Sequence, residues 1–123
     1  MTPDQARDLI LSGKAPPDMV VEGSLDLGWS TLKAIPSNLK VGGWLWLKGC
    51  NSLQSLPENL RVGGWLDIEG CTSLKLPYGI PEGVKGKVFV NEEVLRNNKE
   101  YLLTMVNVRF ENMEMYKRIL AEG

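Results

Sequence analysis

The sequence returns to one theme at intervals of 20, 21 and 22 residues, counted between Val21, Val41, Val62 and Val84. VGGWLWLKGCNSL (41–53) comes back as VGGWLDIEGCTSL (62–74). VEGSLDLGWSTL (21–32) precedes them, and the weaker VKGKVFVNEEVL (84–95) follows. A period in this range marks a stacked array, because one unit alone cannot bury its apolar face and its neighbours must cover it. Within each copy, residues alternate as they would in a strand, with side chains pointing to opposite faces at a period of two. Leu25 and Leu27, Leu45 and Leu47, Leu66 and Ile68, and Val88 and Val90 share one phase, which is therefore the expected core.

The frame L-x-L-x-x-C-x-x-L runs through Leu45, Leu47, Cys50 and Leu53, and again through Leu66, Ile68, Cys71 and Leu74. In the first copy it is one residue shorter, through Leu25, Leu27, Ser30 and Leu32. This frame resembles that of leucine-rich-repeat proteins. The returns IPSNL (35–39) and LPENL (56–60) are similar to the convex side of the short repeats in bacterial effector-type proteins and in small phage or prophage proteins. The resemblance covers residues 20 to 90. It implies an α/β solenoid of about four repeats with one parallel sheet on its concave face. Pro36, Pro57 and Pro77 in the returns suit extended or turn backbone and oppose helix there. Gly23, Gly43, Gly64 and Gly86 recur just before each strand, where an unusual φ or a close backbone approach is expected.

A solenoid needs a cap at each raw end. Residues 1–19 are expected to supply the first cap. Thr2-Pro3-Asp4-Gln5 reads as a capping box with proline at the first helical position, Ala6, Leu9 and Ile10 form an apolar stripe, and Gly13 ends the helix at residue 12. Residues 91–123 are expected to supply the second. Asn91 caps a helix with Glu92 and Glu93 in its first turn. Leu102, Val106, Phe110, Met113 and Leu120 follow helical spacing, with a break near Asn97-Asn98 or Asn107 giving two helices. Their apolar surface would cover the last repeat or join two copies of the chain as a homodimer.

The opposite phase of the strands carries the functional signal. Rung by rung it reads Ser24, Asp26, Gly28; Trp44, Trp46, Lys48; Trp65, Asp67, Glu69; Lys87, Phe89, Asn91. The leucine phase takes the core, so these residues face outward. Trp44, Trp46, Trp65 and Phe89 then fall on adjacent rungs about 4.8 Å apart, close enough for their rings to touch. Such a cluster approaches the roughly 300–600 Å² that is the largest apolar patch on a typical monomer. With Asp67, Glu69, Lys48 and Lys87 around it, the pattern is that of a binding hot spot inside a polar rim. Trp29, at a repeat corner, is expected to pack at the edge.

Other classes fare worse. The chain has no histidine for acid–base work. Cys50 and Cys71 occupy one repeat position and are expected to be buried thiols, without the cation or base that activates a nucleophile. Gly42-Gly43 and Gly63-Gly64 are followed by no G-K-[ST], so no phosphate loop is expected. Without histidine, two cysteines are too few ligands for a metal site, and no cofactor is expected. A net charge of −1 does not suit a general nucleic-acid binder. Lys40, Arg61 and Lys85 could form a basic row, and the tryptophans could stack bases, yet Asp26, Asp67 and Glu69 would repel phosphate. The sequence contains no apolar run long enough for a membrane span, its start lacks the pattern of a signal peptide, and two cysteines make no disulfide scaffold. The expectation is a non-catalytic protein-binding module of the bacterial cytoplasm. Through the phage resemblance, it would be an inhibitor occupying a host protein, with a CRISPR-Cas component as one concrete target. A homo-oligomeric adaptor is the alternative.

Overall fold

The computed structural model describes residues 1–57, 59–75, 83–99, 108–110 and 113–122, with backbone alone for 108–110, 113, 115, 116 and 120. In chain order the elements are α1 (Pro3–Leu11), β1 (Val20–Val21), β2 (Leu25–Asp26), β3 (Lys40–Val41), β4 (Leu45–Trp46), β5 (Arg61–Val62), β6 (Leu66–Asp67), β7 (Val88–Val90), α2 (Glu92–Asn97), β8 (Val108–Phe110) and α3 (Met113–Ala121). The strands form two parallel sheets, one of three strands in the order β1-β3-β5 and one of five in the order β2-β4-β6-β7-β8. Short parallel strands with few helices make this an α/β arrangement. Among the described residues, no helix is long and apolar enough to cross a membrane.

Register explains how such short strands hold. Leu25, Leu45, Leu66 and Val88 are successive lateral partners in the five-stranded sheet, and Asp26, Trp46, Asp67 and Phe89 form the next row. The ladder outruns the strands: the amides of Leu25, Leu27 and Trp29 donate to the carbonyls of Trp44, Trp46 and Lys48, each at 2.8 Å. The leucine phase is fully enclosed, with Leu25, Leu27, Leu45, Leu47, Leu66, Ile68, Val88 and Val90 all at most 1% exposed. Side chains from the returns, among them Leu39, Leu53, Leu60 and Leu74, close the core from the other side. Each fully buried leucine contributes about 1.5–3 kcal/mol.

The three-stranded sheet was not expected. The valines that open each copy pair with one another, Val21 with Val41 and Val41 with Val62, so the backbone bonds laterally twice per copy. The turn before these strands carries its own side-chain ladder. Asn38 Nδ2 donates to Asp18 Oδ1 at 2.7 Å, and Asn59 Nδ2 donates to Asn38 Oδ1 at 2.9 Å.

The N-terminal helix follows its sequence signals. Thr2 and Gln5 form the reciprocal capping box, Pro3 opens the helix, Ser12 caps it, and Gly13 turns away at φ 76°. Ala6 and Ile10 are buried, and Arg7 Nε donates to the Asp26 carbonyl at 3.2 Å, seating α1 on β2. At the other end, Asn91 caps α2 by accepting from the Val94 amide, and the helix stops at Asn98. The expected helical run beyond it is corrected. Val108–Phe110 is a fifth strand, parallel to β7, which places Phe110 in a sheet rather than in a helix. Leu102, Val106 and Pro77 lie outside the described residues. α2 and α3 are tied by exposed ion pairs: Glu92 meets Arg96 at 2.9 Å and Arg118 at 2.6 Å, and Arg96 also meets Glu122.

Candidate functional site

The outward face of the five-stranded sheet gathers the aromatic side chains into one contact chain. Trp44 and Trp65, lateral neighbours, stack with centroids 4.7 Å apart and planes 4° from parallel. Trp46 meets Trp44 edge-on at 5.4 Å and 83°, and Phe89 meets Trp65 at 5.4 Å and 67°. Trp44 and Trp46 are each 39% exposed and Trp65 is 41% exposed, while Phe89 is half-buried. Lys48 and Lys87 are exposed at the margin, and Glu69 is half-buried.

Glycine makes the stack possible. A Cβ on Gly64 would lie 2.4 Å from Trp44 Cδ1, and one on Gly86 would lie 2.7 Å from Trp65 Cδ1. Each indole therefore occupies space that the next copy leaves empty. This settles the role of two of the recurrent glycines as close approach rather than unusual φ.

Asp67 is corrected. Expected at the rim, it is 9% exposed. Its Oδ2 accepts from Trp46 Nε1 at 3.0 Å, and its Oδ1 accepts from the Glu69 amide at 2.9 Å. The register brings Trp46 beside it, and the indole N–H takes the acceptor that a buried carboxylate must offer. Asp67 thus positions Trp46 and turns the backbone towards Glu69. Asp26 makes the same local turn, accepting from the Gly28 amide at 2.9 Å, but it stays exposed.

Trp29 is the residue the sequence reading undervalued. It is 77% exposed, the largest value among the large apolar side chains of the described residues, so packing at the edge is not its main feature. Its φ is 61°, where Gly49 and Gly70 hold the matching places at 77° and 80°. A bulky residue in the left-handed region is a genuine outlier. The ring fits because Gly49 lacks a side chain, whose Cβ would lie 2.2 Å from Trp29 Cε3. Aligning Trp29 with Gly49 and Gly70 is the sequence signal that could have found it. A shallow hollow lined by Asp26, Trp29, Trp46, Lys48 and Asp67 joins it to the main cluster.

Cys50 and Cys71 are free and buried, and they do more than fill space. Cys50 Sγ donates to the Leu27 carbonyl at 3.0 Å, and Cys71 Sγ donates to the Leu47 carbonyl at 3.1 Å. Each thiol thereby satisfies a buried carbonyl of the preceding copy. Burial first, then the neighbouring Cys50, pushes the Cys71 thiol up to about 12. Such a group is held as a thiol rather than as a nucleophilic thiolate. Among the described residues, no group of three or more cysteine or carboxylate side chains is placed to hold a metal.

Lys40, Arg61 and Lys85 line one groove on the three-stranded sheet, away from the aromatic rings. The aromatic face and the basic row are therefore separate surfaces, so they do not combine stacking and phosphate contacts in one site. Scans of protein-family models, curated proteins and solved structures each return no match for this chain.

Proposed function

We propose that this chain is a short leucine-rich-repeat array whose aromatic face binds a protein, without chemistry of its own. The observation that carries the reading is the exposed stack of Trp44 and Trp65 with Trp46 and Phe89 set across it. About two-fifths of each of three indoles, at up to ~250 Å² per ring, leaves roughly 300 Å² of aromatic surface in water before Trp29 is added. That reaches the roughly 300–600 Å² of the largest apolar patch on a typical monomer, a patch that is often functional. Tryptophan is also the residue most enriched at binding hot spots.

Residues 20–90 form the array in this reading, with residues 1–19 and 91–123 as its caps. Its resemblance to small phage and effector-type proteins makes the module an inhibitor that acts inside a host bacterial cell by occupying a surface of a host protein. A component of a CRISPR-Cas defence complex is the concrete version. The test is affinity capture from bacterial lysate with the wild type and a Trp46→Ala/Trp65→Ala variant whose fold is verified by circular dichroism. A protein held by the wild type and lost by the variant supports the reading. Equal capture by both, or self-association of the chain as the only interaction, overturns it.

A further inference from the structure

We infer that the outward face of the three-stranded sheet is a second docking surface, whose occupant is an acidic segment of protein lying extended across Lys40, Arg61 and Lys85. This does not rest on the aromatic reading, because the two surfaces lie on different sheets. Lys40 and Arg61 are in-register partners on β3 and β5, and both are exposed. The bridge from Val62 to Val84 continues the ladder, so Gly83 stands beside Arg61 and the exposed Lys85 beside Gly63. Like charges directly opposite each other destabilise a sheet, so Lys40 against Arg61 is held at a cost to stability. By register, Asp18 and Glu22, on either side of Val20, are diagonal to Lys40 and further from Arg61 and Lys85. Asp18 accepts from Asn38 Nδ2, and none of the three cations forms an ion pair with a described residue.

Shape and charge select the occupant. The groove is lined by the three cations together with Val41, Val62 and two glycines, Gly63 and Gly83. Val41 and Val62 are 2% and 1% exposed, so it offers no apolar side chain and must bind through charge. Gly63 is exposed and leaves its part of the floor bare, which lets another backbone lie close. Rungs are about 4.8 Å apart and successive residues about 3.3 Å, so Arg61 and Lys85 are roughly 8 Å apart at the backbone and Lys40 and Lys85 roughly 12 Å. Carboxylates at alternate positions of an extended segment recur about every 6.6 Å, so three of them span about 13 Å. The flexible lysine stems take up the difference, and the Arg61 fork suits a carboxylate bound through both oxygens. A nucleic-acid backbone fits less well. Single strands are held where rings stack bases beside the cations, and here the rings sit on the other sheet. Three cations also release few counterions, on a chain whose net charge is −1.

The probes are a synthetic peptide alternating aspartate and serine, a copy with asparagine for aspartate, and a DNA oligonucleotide of equal charge. Each is titrated at low salt into the protein labelled with nitrogen-15, and the amide and indole signals are followed. The aspartate peptide should shift the amides of Lys40, Arg61, Gly63 and Lys85 and leave the indoles of Trp44, Trp46 and Trp65 in place. The asparagine copy, which requires no change to the protein, should produce no such shifts. Arg61→Gln/Lys85→Gln should weaken the aspartate peptide roughly tenfold, the scale of two exposed ion pairs. Both side chains are exposed and lose no partner, and the same spectra verify the fold. Binding that survives this substitution, shifts confined to the aromatic face, or no shift at millimolar peptide overturns the groove. DNA bound more tightly than the peptide overturns the acidic segment in favour of phosphate. The aromatic reading stands or falls separately, on the capture experiment with Trp46→Ala/Trp65→Ala.

Discussion

Gly42 and Gly63 sit in the same local sequence, Val-Gly-Gly-Trp-Leu, yet alanine should act on them in opposite directions. Neither adopts a positive φ, so alanine strains neither backbone by itself. At Gly42 the added Cβ meets Gly23 N and Val21 O at 3.5 Å, an ordinary contact. Removing a glycine from the unfolded chain then stabilises the protein by about 0.4–1 kcal/mol. At Gly63 the added Cβ would lie 2.3 Å from the Gly42 carbonyl oxygen. Relieving that contact means parting two copies by about 1 Å, the amount needed to restore van der Waals separation. The shift would strain the bonds from Gly63 N to Val41 O and from Gly64 N to Gly43 O, both 2.9 Å. Overpacking costs about 1–3 kcal/mol, and a weakened backbone bond about 1 more. The two variants should thus differ by roughly 2.5–5 kcal/mol, which a urea slope near 1.5 kcal/mol/M converts to midpoints about 1.5–3.5 M apart. Urea unfolding followed by circular dichroism reads this directly. Midpoints that move together, within about 0.5 M, would refute the close stacking of the two copies.

Three further outcomes are expected. Trp29→Gly should be more stable than Trp29→Ala by about 1 kcal/mol in thermal unfolding, because alanine keeps the left-handed strain; at an ordinary exposed position glycine is the worse of the two. The raised Cys71 value means that its contribution to stability is complete below about 9 and is lost as pH rises towards about 12. Alkaline unfolding should start in that window, and a disulfide exchange reagent at pH 8 should label Cys71 only as the chain opens. Hydrogen bonding from Arg96 holds the Glu92 and Glu122 carboxyls below their ordinary value. Their contribution is present above the ordinary glutamate pKa of about 4.3 and fades below it as pH falls through the lowered native values. Acid should therefore loosen the contact between α2 and α3 first, read as amide exchange at Leu95 and Ile119, and added salt should blunt the effect.

Much of the fold can be read from the alternation of leucine with other residues, since that phase alone decides which face is buried. Leu45, Leu47, Leu66 and Ile68 take that place in the sequence and are all wholly enclosed. The capping box at Thr2 and Gln5 is equally local, and local chemistry settles it. The C-terminal segment misled because Val106, Phe110 and the residues between them satisfy two periods at once. A spacing of four is close to one helical turn and is also an even number of strand steps. The alternation Val106-Asn107-Val108-Arg109-Phe110 is the better guide, and the strand at Val108–Phe110 follows it.

The candidate face was legible in the same uneven way. Its four aromatic residues could be placed by phase and register, and they touch as that placement requires. The burial of Asp67 could not, because it depends on the Trp46 indole leaning across a rung to donate to it. Trp29 escaped for a different reason: its significance lies in a backbone conformation, visible only by comparison with the glycines at 49 and 70.

The most direct measurement follows the indole N–H signals of the protein, labelled with nitrogen-15 at tryptophan, as the captured partner is titrated in. The chain has four tryptophans, so each signal can be assigned by single substitution. Trp44, Trp46 and Trp65 should shift or broaden together on binding, with Trp46 already distinguished by its bond to Asp67. Saturated binding that leaves all three signals in place, with chemical-shift changes confined to the edge of Lys40, Arg61 and Lys85, would contradict the aromatic face as the site of binding.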